Sequence, residues 1–268
     1  MMKHTWIASL LLGLALLVPR AQAAAFDHSA WDALLKQHVV SISEGHATQV
    51  DYAGFARDRA KLKTYLSSLG SVSRQTFDAW PKPERLAFLI NAYNAWTVEY
   101  ILTKYPDIKS IKDLGSLLSS PWKKKFIPLL GQTMALDDIE HGTIRAANDY
   151  AEPRIHFAVN CASIGCPALR NEAFTGERLA QQLDDSARNF LADRSRNRLS
   201  NGKLELSSIF KWYREDFEKG WAGYKSLYQF LGDYSGALGL SDADKQKLNA
   251  KSIPISFLDY NWQLNSKK

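Results

Sequence analysis

Arg154-Ile155-His156-Phe157-Ala158-Val159-Asn160-Cys161-Ala162-Ser163-Ile164-Gly165-Cys166-Pro167 brings an imidazole, an amide, a hydroxyl and both cysteines of the chain into fourteen residues. Ile155, Phe157 and Val159 alternate with His156, Ala158 and Asn160, which is the period-2 pattern of a half-buried strand over 154–159. Gly165 can take positive φ and Pro167 cannot donate to a ladder, so a tight loop is expected beyond the strand end. Reactive groups collect in such loops.

Outward from this strand, most of the chain has helical spacing. Trp31, Leu34, Leu35 and Val39 predict a helix over 30–40, and a second short helix is expected over 61–69. Pro83 suits the first turn of the longest helical pattern, whose apolar face is Leu86, Leu89, Ile90, Tyr93, Thr97 and Ile101. Residues 125–136 read as a hairpin around Gly131-Gln132, after which Asp137 or Asp138 can cap a helix carrying Ile139, Glu140 and His141. Leu179, Leu183, Ala187 and Leu191 mark an amphipathic helix over 178–191; short strands are expected at 204–206 and 253–258. The fold class is therefore α+β: a helix-rich single domain with a small, mainly antiparallel sheet, the 154–159 strand near its middle. No repeat, low-complexity tract or linker divides the chain.

Lys3 and His4 precede the apolar run Ile7–Val18, and Ala21-Gln22-Ala23 is a small-x-small site, so residues 1–23 read as a secretory signal peptide and 24–268 as the mature domain. The run is shorter than the ~20 residues a spanning helix requires. A periplasmic or secreted protein is expected, with no integral membrane segment after cleavage. The mature chain would carry a net charge of +4 on 245 residues, interspersed except for Lys123-Lys124-Lys125. That distribution argues against nucleic acid, which would call for a clustered basic stripe.

Four blocks outside the cysteine segment extend the reading. They are Leu86-Ala87-Phe88-Leu89-Ile90-Asn91-Ala92-Tyr93-Asn94-Ala95, Leu136-Asp137-Asp138-Ile139-Glu140-His141, Ser208–Phe217 and Tyr260-Asn261-Trp262-Gln263-Leu264-Asn265. Together with Arg154–Pro167 they resemble the conserved blocks of the DUF547 family, a domain of unknown function. Asn261 stands where the last block more often reads Asp. The resemblance implies no reaction, so function has to come from the residues.

A thiol becomes a nucleophile as its thiolate, and a neighbouring imidazole lowers its pKa. Cys161 is the candidate nucleophile. His141 and His156 are the candidate catalytic partners; in an extended strand His156 would sit ~16 Å away at ~3.3 Å per residue, out of reach unless the loop folds back. His141, arriving from a separate helix, is therefore the expected base. Asn91 and Asn94 are polar residues in an apolar helix, expected either to tie a loop to that helix or to donate to an oxyanion. Ser163 and the N–H groups of the Gly165 turn are further oxyanion candidates. Asn160, Glu140, Arg214 and Asp216 are expected to support the site, and no cofactor is expected. The chemistry would be that of a cysteine hydrolase or acyl transferase acting on an amide, ester or thioester of a small-molecule or peptide substrate.

Two other arrangements use the same residues. Exported proteins with two cysteines commonly oxidise them, and the four-residue spacer allows a Cys161–Cys166 disulfide, which would lock the loop of a non-catalytic binding module. Cys161, Cys166, His141 and His156 also suit Zn²⁺ by type, although C-x4-C is wider than most zinc pairs.

Overall fold

A computed structural model describes residues 24–116, 118–146 and 149–267. The expected signal peptide, residues 1–23, lies outside the described residues. The α-helices are α1 (Ser29–His38), α2 (Tyr52–Arg57), α3 (Arg59–Gly70), α4 (Arg74–Asp78), α5 (Lys82–Leu102), α6 (Leu136–Ile139), α7 (Leu179–Ala192), α8 (Ile209–Trp212), α9 (Leu227–Asp233) and α10 (Asp242–Asn249). The strands are β1 (Val39–Ile42), β2 (Ala47–Val50), β3 (Ile127–Leu129), β4 (Gln132–Met134), β5 (Arg198–Ser200), β6 (Lys203–Ser207) and β7 (Ile255–Leu258). No helix among the described residues is long and apolar enough to cross a membrane.

The first core forms around α5. This helix starts with Pro83 in its first turn, where a missing N–H costs nothing, and is buried on almost every side, as expected of a helix packed against α2, α3, α6 and α7. Its polar positions Asn91 and Asn94 are consequently inside the protein, where each amide must find partners.

A second core lies under β5-β6-β7 and is rich in aromatic residues, including Phe157, Phe190, Phe210, Phe217 and Phe230. In that sheet β5 pairs antiparallel with β6, and β6 pairs parallel with β7. β1–β2 and β3–β4 form separate antiparallel hairpins, the latter at the expected place. Three of the four strand pairings are thus antiparallel, and the protein is a helix-rich α+β domain.

The segment expected as a central strand is not one. Pro153–Phe157 forms a 3-10 helix, and β6 occupies the middle of the sheet. Pro153 sets a helical φ at the first position, and the Glu152 carboxylate caps the turn by accepting the Arg154 N–H at 3.0 Å. The alternation was misleading because there is no solvent face: Ile155, His156 and Phe157 are all buried. The turn sends Ile155 into the α5 core and Phe157 into the core under the sheet, so it bridges the two.

Candidate functional site

Beyond that turn, residues 158–167 are held by amides rather than by a sheet. Asn94 on α5 donates Nδ2–H to the Ala158 carbonyl (2.9 Å) and accepts the Asn160 N–H on Oδ1 (2.8 Å). Asn160 in turn donates to the Pro167 carbonyl (2.7 Å) and accepts the Ala162 N–H (2.9 Å). Asn91 does similar work one turn earlier on α5, clamping both backbone groups of Phe174 at 2.7 and 3.0 Å. Both α5 asparagines tie loops to the helix, and neither lines the cavity described below.

Within the loop, Cys161 and Cys166 form a disulfide. The Cys161 N–H donates to Cys166 Sγ at 2.9 Å. The Tyr260 hydroxyl donates to Cys166 Sγ at 3.1 Å and lies 3.2 Å from Cys161 Sγ. Gly165 is required by this approach, since a Cβ there would meet the Tyr260 ring at 2.9 Å. The Ile164 and Gly165 N–H groups, expected as oxyanion donors, are instead bonded to the Gln263 and Asn261 carbonyls (2.8 and 2.9 Å). Ser163 Oγ is buried and faces its own loop, 3.5 Å from the Cys161 carbonyl. With the two sulfurs joined, neither is a thiolate free to take a metal, so the zinc arrangement is not formed.

The disulfide forms one side of a cavity of about 250 Å³. Cys161, Cys166, His141, His156, Glu140 and Asp137 all line it, together with an aromatic wall of Tyr93, Trp122, Trp212, Tyr213, Tyr260 and Trp262. Glu140 and His141 enter through a π-helical turn, Glu140–Arg145, that follows α6 directly. Single π turns of this kind occur frequently at functional sites. Asp138 caps α6 by accepting the Ala135 N–H at 2.8 Å, which leaves Asp137 free to face the cavity.

The two histidines differ in what their lone pairs do. Arg145 can only donate, and its Nη1 is 2.6 Å from His141 Nδ1; that nitrogen must accept, so the proton of neutral His141 sits on Nε2, 3.6 Å from Asp137. His156 Nε2 lies 2.7 Å from Asp216 Oδ2. Burial lowers the His156 pKa, with the hydrogen bond to Asp216 opposing it, so the ring is neutral at pH 7. A neutral ring beside a carboxylate must donate from Nε2, which leaves Nδ1 a bare acceptor, and that atom has no partner. His156 therefore keeps an unpaired lone pair on a buried Nδ1, whereas His141, the expected base, has its Nδ1 lone pair taken by Arg145. A 3-10 turn stands where the ~16 Å separation assumed an extended strand, and His156 and Cys161 line the same cavity.

Asp216 is fully buried, which disfavours its charge, but hydrogen bonds from His156, Arg145 and Lys219 hold its carboxyl well below the usual range. Arg145 Nε and Lys219 Nζ are 2.6 and 2.7 Å from it. Glu140 accepts the Tyr213 hydroxyl at 2.8 Å, and the Tyr213 ring stacks on His156 with centroids 3.9 Å apart. Arg214 is elsewhere, pairing with Glu218 near the surface. Asp216, expected as a supporting residue, sits behind His156 rather than lining the cavity, and the aromatic wall was not expected. The signal for the wall was the aromatic density of Ser208–Phe217 and Tyr260–Trp262, two blocks that contribute Trp212, Tyr213, Tyr260 and Trp262 to the pocket.

No curated protein and no solved structure matches the chain. Residues 77–191, which contain α5, the π turn, the His156 turn and the cysteine loop, match the family model described as protein of unknown function, DUF547, in agreement with the resemblance of the sequence blocks.

Proposed function

We propose that the protein is an exported cysteine-dependent hydrolase or acyl transferase, acting on an amide, ester or thioester, whose disulfide-bonded form is the resting state. One observation carries this reading: Cys161 shares its cavity with His156, an imidazole oriented by a buried carboxylate and left with an unpaired Nδ1. A dithiol reductant would convert the Cys161–Cys166 disulfide to two thiols, itself becoming a disulfide. His156 Nδ1 would then take the Cys161 S–H proton as the sulfur attacks the acyl carbon. The proton passes to the leaving group, and water or another acceptor releases the acyl group from Cys161.

The test compares oxidised and fully reduced protein. Cys161 in reduced protein should be alkylated by iodoacetamide at neutral pH faster than Cys166, and should give a burst of leaving group from an activated ester or thioester. A reduced protein with Cys161 no more reactive than a free cysteine, and without turnover on amide, ester and thioester substrates, removes this reading.

A second reading is favoured by the disulfide itself. In the cross-linked form Cys161 cannot attack, and the loop becomes a rigid wall of a ligand-binding cavity. The outcome expected of such a module is a pair of cysteines that stays oxidised in the exported protein and ligand affinity that survives reduction unchanged.

A further inference from the structure

The polar groups of the cavity are almost all committed in one sense. Tyr213 donates its hydroxyl to Glu140, and Tyr260 donates to a sulfur. What these bonds leave facing a ligand are chiefly acceptors, the remaining lone pairs of Glu140 and the one-third-exposed carboxylate of Asp137, with the His141 Nε2–H beside Asp137 as a donor. Among the described residues that line the cavity there is no Lys or Arg. Arg145 packs against Tyr213 and is occupied by Asp216 and His141 Nδ1, and Arg196 is bonded to the Cys166 carbonyl and paired with Asp193.

The walls favour the same kind of ligand. Trp122, Trp212, Tyr260 and Trp262 touch one another through centroid separations of 4.5–5.7 Å, and Trp212 is 47% exposed at the mouth. Aromatic faces attract cations through their quadrupoles, and more strongly once water is excluded. This wall already holds one: Lys112 Nζ sits 3.9 Å from the centroid of Trp262. The volume, about 250 Å³, lies below the ~300–1,000 Å³ usual for a drug-sized molecule, so it suits one side chain or a small molecule.

We infer that this cavity recognises a cationic ligand, an ammonium or guanidinium group on a short aliphatic stem, with Asp137 and Glu140 accepting its N–H bonds and the tryptophan wall covering the stem. The inference rests on reading this cavity as the substrate site, and it concerns binding rather than thiol chemistry. It is therefore tested on the disulfide-bonded protein, in which Cys161 cannot react, so that its failure and the failure of the hydrolase reading are separate results.

The experiment is titration calorimetry of the oxidised full-length mature protein with Nα-acetyl-lysine methylamide and, as the uncharged match in length, Nα-acetyl-norleucine methylamide. The lysine probe should bind at least about ten-fold more tightly, the size expected for a desolvated cation on aromatic faces with carboxylate partners. Asp137→Asn should remove most of that preference. Because Asp137 is about one-third exposed, this variant is expected to fold, whereas Glu140→Gln disturbs the buried tyrosine contact and serves as a second measurement. Equal or tighter binding of the norleucine probe, no binding of the lysine probe at millimolar concentration, or an undiminished preference in Asp137→Asn would each overturn the inference.

Discussion

His156 Nε2 and Asp216 Oδ2 lie 2.7 Å apart across 60 residues of sequence, and Arg145 and Lys219 close around the same carboxylate. The pairing fixes both the tautomer and the tilt of the ring, which the Tyr213 stack then holds from one face.

A test of this pairing is the pH dependence of Cys161 alkylation in reduced protein. A thiol that shares a site with an oriented imidazole is expected to react with a midpoint below the ordinary ~8.5 of cysteine. His156→Gln should move that midpoint back up toward it. Asp216→Asn should do the same and also unfold more easily, by about 3–5 kcal/mol, because Arg145 loses its buried counter-charge. A midpoint that His156→Gln leaves untouched would show that the imidazole does not act on this thiol.

The cysteines themselves separate structure from chemistry. The chain-entropy model gives about 2 kcal/mol for a loop this short, so Cys161→Ser and Cys166→Ser should lower the melting temperature by similar amounts, on the order of 5 °C, in oxidised protein. In reduced protein the two should diverge, with burst activity lost in Cys161→Ser and retained in Cys166→Ser. Equal effects on both measurements would point to the locked binding module.

How much of this was legible follows from the range of the interactions. The longer helices α1, α3, α5 and α7 were read from apolar spacing, a property of neighbouring residues. His156 and Asp216 carry no such signal, since nothing in a turn at 153–157 reveals a carboxylate sixty residues on. The misread strand has a different cause. Period-2 alternation identifies a strand only when one face meets water, and here Ile155 and Phe157 fill two separate cores with His156 buried between them. The β1–β2 hairpin was passed over because its residues are mostly half-buried on both faces, leaving no alternation to read. The bond from Arg145 to His141 was accessible in principle, as an i,i+4 pair, but only the observed contact shows that it takes the Nδ1 lone pair.

Asn94 offers a stability test that does not involve the sulfurs. Asn94→Ala leaves the buried Ala158 carbonyl and Asn160 N–H without partners, at about 1–3 kcal/mol each, so urea denaturation should show a loss of roughly 2–5 kcal/mol. Asn94→Asp should be at least as damaging, because a carboxylate can accept from Asn160 but faces the Ala158 carbonyl oxygen with no donor. A loss under about 0.5 kcal/mol in Asn94→Ala, the range of ordinary surface substitutions, would mean that this amide does not hold the loop.

Acid sensitivity should come first from a histidine outside the cavity. His28 is 5% exposed, bonded through Nδ1 to the Tyr65 hydroxyl at 2.7 Å, and its Nε2 has no partner. Burial pushes its pKa down from 6.5 to about 4, so the folded protein holds the ring neutral where the unfolded chain protonates it. The unfolded state therefore binds more protons between those values, and stability present above pH 6.5 is lost as the pH falls toward 4. Converted at 1.36 kcal/mol per pH unit, that loss is on the order of 3 kcal/mol. His156, also lowered by burial, adds to it with the same sign, whereas the contribution of Asp216 is lost only below the ordinary carboxylate range. Denaturation midpoints measured from pH 7 to pH 4 should fall steeply in the wild type and less steeply in His28→Gln, which has no proton to gain. Parallel slopes in the two proteins would mean that another group carries the acid response.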